Sequence, residues 1–166
     1  MLFRSNEDED MALAYVLAQR TFRYFWREMS WEYRRIVPAL DLSCVKIAFN
    51  VPGEPSESLP SFEHLWIGDV AFVGETIFGE LLNDATYIPH LKSGNQVEAK
   101  VEDVSDWMFA ALGRVFGAFT VNTMRQSMSS AERLEHDEAW GLDFGDPFEF
   151  ELGYSRPEEE KRYTNA

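Results

Sequence analysis

The chain has 166 residues, 45% of them apolar and 14% aromatic, which is enough for one domain with a real core and short for two. Its formal charge is −14, a field that repels phosphate backbones and anionic lipid and attracts cationic partners. The excess is uneven: residues 1–40 carry six Lys/Arg and six Asp/Glu, whereas residues 41–166 carry nine against 23.

The N-terminal stretch MLFRSNEDED is acidic where a signal peptide needs an apolar run. No segment approaches the roughly 20 apolar residues of a membrane span, so no membrane partner is expected. The single Cys44 can close no internal disulfide and lies in SCVKIAF, a strand-like setting where a cysteine acts as a small hydrophobe. A cytoplasmic protein fits all three observations.

From Glu7 to Met29, the residues Met11, Tyr15, Ala18, Phe22, Trp26 and Met29 recur at steps of three and four, which predicts an amphipathic helix. Asn6 with Glu9 three later reads as a capping box, and Arg20, Arg23 and Arg27 form a solvated stripe on another face. Phe22 and Trp26 are expected to pack on the strands that follow. After Pro38 the period changes to two. Val45, Ile47 and Phe49 alternate with Cys44, Lys46 and Ala48, and the loop PGEPSESLP follows. FEHLWIGDVAFVG and ETIFGELL flank Gly74 as a hairpin, and QVEAKV alternates cleanly, Val97, Ala99 and Val101 inward against Gln96, Glu98 and Lys100 outward.

The segment SDWMFAALGRVFGAFT raises a choice between an anion-cradling loop and a hairpin. Phosphate loops place their glycines between a strand and a helix, whereas residues 107–112 and 115–120 both alternate like strands. A two-residue type II′ turn at Gly113-Arg114 is therefore expected, with Gly117 marking a bulge or a close approach to Trp107. Two short helices end the domain, one around VNTMRQSM and one opened by the capping box Ser129 and Glu132. The expected architecture is α+β: an N-terminal helix on a curled, half-barrel-like antiparallel sheet of five to six strands, with two short C-terminal helices. Residues 1–147 form that single domain, and 148–166 a charged tail that folds back only in part.

Chemistry-bearing groups are sparse. His64, His90 and His136 have no metal-ligand spacing, no GxSxG elbow is present, and no cofactor motif appears. No metal and no cofactor are expected. The one group with catalytic character is His64 with Asp69 or Asp106, a general base pair for a small hydrolase-type enzyme if the strand at 62–73 runs near Asp106. The opposing reading makes His64 a packed, hydrogen-bonded strand residue.

EHLWIGDV, FGELLND, IPHLKSGNQV and DWMFAALGRVFGAFTVNTMRQSMSSAER, in this order, together resemble the bacterial family called domain of unknown function 2314, YegJ-like, over about residues 10–147. Asn95 stands where the family usually has Asp, Ala118 where it usually has Gly, and Asp84 where Pro is common. The resemblance implies a soluble bacterial protein and no particular reaction. Charge, size and the missing nucleophile favour an acidic protein-binding module, for example an immunity or antitoxin-like protein that neutralises a basic toxin domain. Its binding face would present Glu63, Asp69, Glu80, Asp84, Glu98, Asp103 and Asp106. The partner is a basic protein, and nucleic acid is disfavoured by the sign of the field.

Overall fold

The computed structural model describes residues 2–152, with side chains from Asp8 onward. Helix α1 spans Leu2–Glu32, and the strands are β1 (Leu42–Asn50), β2 (Phe62–Val73), β3 (Thr76–Leu81), β4 (Gln96–Lys100), β5 (Val104–Ala111) and β6 (Arg114–Gly117). Helices α2 (Phe119–Gln126) and α3 (Ser130–Trp140) follow. All strand pairs are antiparallel, in the order β4-β3-β2-β1-β5-β6. The sheet is open, with β4 and β6 at its edges.

Helix α1 starts before Asn6, so Asn6 is inside the helix and not its cap; its side chain lies outside the described residues. The inner face of α1 is Ala14, Ala18, Phe22, Phe25 and Met29, packed on Val45, Ile47, Ile67, Ile77, Leu81, Trp107 and Phe109. Phe25 sits 6.0 Å from the Trp107 ring and Phe22 5.9 Å from Phe72. Burying one such aromatic contributes about 2–3 kcal/mol. Trp26 departs from the expected face: it is 51% exposed. The face is centred one position earlier than the aromatic spacing suggests, on Ala18, Phe22 and Phe25, where two alanines let the helix approach the sheet.

The second face of the sheet carries Cys44, Trp66, Met108 and Ala110, and Ala118, Val121 and Phe144 cover them. β5 is buried along its whole length, so the residues on both of its faces, Trp107, Phe109 and Ala111 on one and Met108 and Ala110 on the other, are apolar. Toward β3 and β4 no such cover lies among the described residues, and Phe78 and Glu98 are exposed.

The β5–β6 hairpin forms, one residue out of the expected register. Ala111 pairs with Arg114, so the turn residues are Leu112 and Gly113, with φ of +51° and +77°. Positive φ at both is the type I′ geometry, whose twist matches the strands; the expected type II′ turn at Gly113-Arg114 is not made. β6 also ends at Gly117, and α2 starts at Phe119, so 118–120 are not strand. Gly117 itself behaves as expected. Its φ is +79°, and a Cβ there would lie 2.4 Å from the Trp107 carbonyl oxygen and 2.5 Å from the indole ring.

The β6 edge is closed by the chain's own later residues. Val115 N–H donates to the Asp143 carbonyl at 2.9 Å and Gly117 N–H to that of Glu151 at 2.7 Å. Phe150 packs 5.1 Å from Phe119, and Leu152 is buried in the core. The first part of the expected tail thus folds back, and residues 153–166 lie outside the described residues. The Ser129 capping box is made: Glu132 N–H donates to Ser129 Oγ at 3.2 Å, and Ser129 N–H to Glu132 Oε2 at 2.6 Å.

Candidate protein-binding surface

The candidate residues separate into a buried polar cluster and an exposed acidic end. Asp106 anchors the first. It faces Lys46 across the β1–β5 ladder, beside a bulge that inserts Ser105. Its side chain is fully buried, and its carboxylate accepts from the backbone N–H groups of Trp107 (2.8 Å), Phe119 (3.0 Å) and Thr120 (2.8 Å), and from the Thr120 hydroxyl. Phe119 and Thr120 open α2, so Asp106 caps that helix from a neighbouring strand, because Ala118 at the N-cap has no side-chain oxygen. Lys46 Nζ donates to Thr120 Oγ1 at 2.8 Å and lies 5.0 Å from the Trp66 ring. Burial pushes the Asp106 carboxyl up, opposed by the Thr120 hydroxyl and Lys46. Burial pushes the Lys46 ammonium down, opposed by Asp106.

His64 is half-buried at the margin of this cluster. Its ring stacks on Tyr15 at 4.9 Å, and Nδ1 lies 2.9 Å from Ser105 Oγ. Ser105 Oγ donates in turn to the Lys46 carbonyl, which leaves the Nδ1 proton to bond Ser105. Burial, with Lys46 nearby, holds His64 below its ordinary pKa. Among the described residues neither Asp69 nor Asp106 is hydrogen-bonded to it. Cys44 is enclosed, and burial pushes its thiol far up. Among the described residues no three of His, Cys, Asp and Glu converge to hold a metal ion, and no helix is long and apolar enough to cross a membrane.

Of the seven acids expected on a binding face, Asp106 is enclosed and three hold loops. Glu63 accepts from the N–H groups of Thr86 and Tyr87, Asp84 from Ser93 N–H, and Asp103 from Lys100 N–H. Asp69, Glu80 and Glu98 remain, and among the described residues their carboxylates bond nothing. Asp69 sits in a bulge of β2 at φ +48°. With Glu80 it lines a cleft of about 460 Å³ between the strand ends and the segment after α1. The cleft also includes Glu32 and Asp41, which the sequence pattern did not single out. Those two are occupied: Glu32 accepts from Arg35 at 2.7 Å and from Ala39 N–H, and Asp41 from Gly113 N–H. His64 does not line this cleft.

Comparison with known proteins places residues 8–144 on the profile of DUF2314, described as an uncharacterized protein conserved in bacteria. A Neisseria meningitidis protein provisionally named an ankyrin repeat protein is 45% identical over 151 residues, 91% of this chain and 58% of that one. The Escherichia coli protein YegJ, named as uncharacterized, is 29% identical over 62 residues, 37% of this chain and 40% of its own length. The matches thus span less than two thirds of either relative. No solved structure matches.

Proposed function

We propose that this chain, which belongs to the bacterial family DUF2314, is a non-enzymatic protein-binding module whose acidic end receives a basic partner. The observation that carries the reading is the placement of Asp69, Glu80 and Glu98 at the uncovered end of the sheet, with no cation bonded to any of them among the described residues. Carboxylates that cap loops or helices are already satisfied; these three are available for a partner's Lys or Arg. The sign of the whole molecule, −14, reinforces that choice by accelerating encounter with cations. A longer relative provisionally named an ankyrin repeat protein is compatible with an interaction role. The specific form we favour is an immunity or antitoxin-like protein that occludes a basic toxin domain.

The test is the salt dependence of association. A protein partner captured by the full chain at low salt should associate about 10- to 1,000-fold more slowly once the field is screened, since the Debye length falls from roughly 10 Å at 0.1 M to 3 Å at 1 M. The triple variant Asp69→Asn, Glu80→Gln, Glu98→Gln should lower the on-rate more than it raises the off-rate. An on-rate indifferent to salt and to these substitutions refutes the reading and leaves the charge a solubility feature.

A further inference from the structure

The two edges of the sheet are treated differently. β6 is covered by residues 143–151, as described above. β4 has no such cover among the described residues, and its hydrogen-bond phase can be read from the bonds that flank it. Leu81 N–H donates to the Asn95 carbonyl and Val101 N–H to that of Glu75, in the register that pairs Ile77 with Ala99 and Gly79 with Val97. Closely bonded pairs alternate with open ones in an antiparallel ladder. The odd-numbered residues of β4 therefore bond inward to β3, and Gln96, Glu98 and Lys100 turn their N–H and C=O groups outward. Lys100 N–H is taken up by Asp103 at 3.4 Å. The N–H and C=O groups of Gln96 and Glu98 bond nothing among the described residues.

We propose that β4 is a docking edge for an extended basic segment of the partner, which adds as a seventh strand with its backbone bonded to Gln96 and Glu98. This rests on the acidic-interface reading and names how that interface is engaged. The side chains set the partner's pattern. Val97 and Ala99 lie on the core side of β4, Val97 only partly buried and packed against the α1-side core; Gln96 and Glu98 lie on the open side, where Glu98 pairs with exposed Phe78 and Gln96 with Glu80. An added strand alternating apolar and basic residues extends the core past Val97 with one set and meets Glu98 and Glu80 with the other. A second copy of this chain is a poorer occupant. An antiparallel β4–β4 pair centred on residue 98 sets the two Glu98 carboxylates opposite each other, and like charges directly opposite are destabilising.

The probe is a synthetic peptide of about eight residues, an ordinary strand length, alternating lysine and valine, with a glutamate–valine peptide as control. Amide hydrogen exchange on the full chain reads the result. The lysine peptide should slow exchange at Gln96 and Glu98 by about tenfold or more at saturation, and the glutamate peptide should not. Glu98→Pro removes one outward N–H and leaves the inward bonds of Val97 and Ala99 in place, a substitution an edge strand tolerates; it should abolish the protection. If that variant fails to fold, Glu98→Lys keeps the backbone and should transfer binding from the lysine peptide to the glutamate peptide. Protection by the lysine peptide at the Asp69 and Glu80 cleft alone overturns the docking edge and leaves the acidic-interface reading standing. No binding of the lysine peptide at low salt overturns both. Protection at Gln96 and Glu98 that grows with protein concentration without peptide assigns the edge to a second copy and overturns the proposal.

Discussion

At the scale of single residues, the segment Gly117-Ala118 is the most constrained place in the chain. Gly117 is held at positive φ against the Trp107 carbonyl and indole, and Ala118 follows at φ +54°. Two adjacent left-handed residues are the price of turning from β6 straight into α2. Gly117→Ala should cost more than about 2 kcal/mol, because the methyl meets backbone within 2.4 Å and cannot be relieved by a side-chain rotation. Ala118→Gly should change stability by less than about 1 kcal/mol, since relief of the left-handed backbone offsets a lost methyl contact and a more flexible unfolded chain. Equal effects of the two in urea denaturation would contradict the geometry. Glycine, the residue expected at 118 from the family resemblance, suits a position with positive φ; nothing in the structure explains the alanine that stands there.

His64 supplies a residue-scale prediction in pH. Its folded-state pKa is depressed by burial and Lys46, so the unfolded chain binds more protons between that value and its ordinary pKa near 6.5. The neutral ring's contribution is complete above about pH 6.5 and is lost as pH falls through the depressed value. The difference in melting midpoint between the wild type and His64→Gln should shrink on going from neutral pH to about pH 5. A constant difference would mean that His64 does not titrate in this window.

Among the elements, α2 depends on a strand more than on its own sequence. With Ala118 at the N-cap, the first turn is held by the carboxylate of Asp106, 13 residues before Phe119. Asp106→Asn keeps the shape but replaces one of the two oxygens that accept from Trp107, Phe119 and Thr120 with an NH2 donor, and leaving such buried N–H groups unsatisfied costs about 1–3 kcal/mol. The loss should appear first as faster amide exchange at Phe119 and Thr120; unchanged protection there would sever Asp106 from α2. Periodicity revealed the elements because it reflects local burial: α1, the strand runs and the α3 capping box are all visible in the sequence. It did not reveal Asp106 as a cap, since a carboxylate reaching another element leaves no spacing signal. The hairpin phase was missed for a related reason. Leu112, 96% exposed, carries positive φ because the strand twist demands it, where local preference alone would leave that to glycine. The acids of the exposed end were legible as charges, but only the fold separates Asp69, Glu80 and Glu98 from Glu63, Asp84 and Asp103, which hold loops.

For the whole molecule, the charge has a cost of its own. A net −14 on one folded chain repels itself more in the compact state than in the expanded one. Raising the salt from about 0.02 to 0.3 M should therefore raise the melting midpoint, because screening acts within a Debye length of roughly 20 Å falling to about 6 Å. A midpoint that falls with salt would show that local ion pairs such as Arg125 with Asp137 outweigh the global field.

The place of β1 in the sheet carries a consequence for synthesis on the ribosome. It is the first strand made, yet it sits inside the sheet, paired on one side with β2 and on the other with β5. Cys44 meets Gly68 soon after it emerges but Met108 only when a further forty residues have been added. At the usual pace of about 5–20 residues per second, one flank of the future sheet centre stays open for roughly 2–8 s. Nascent chains arrested just before β5 should accordingly recruit chaperones or self-associate, and those extended past Gly117 should not.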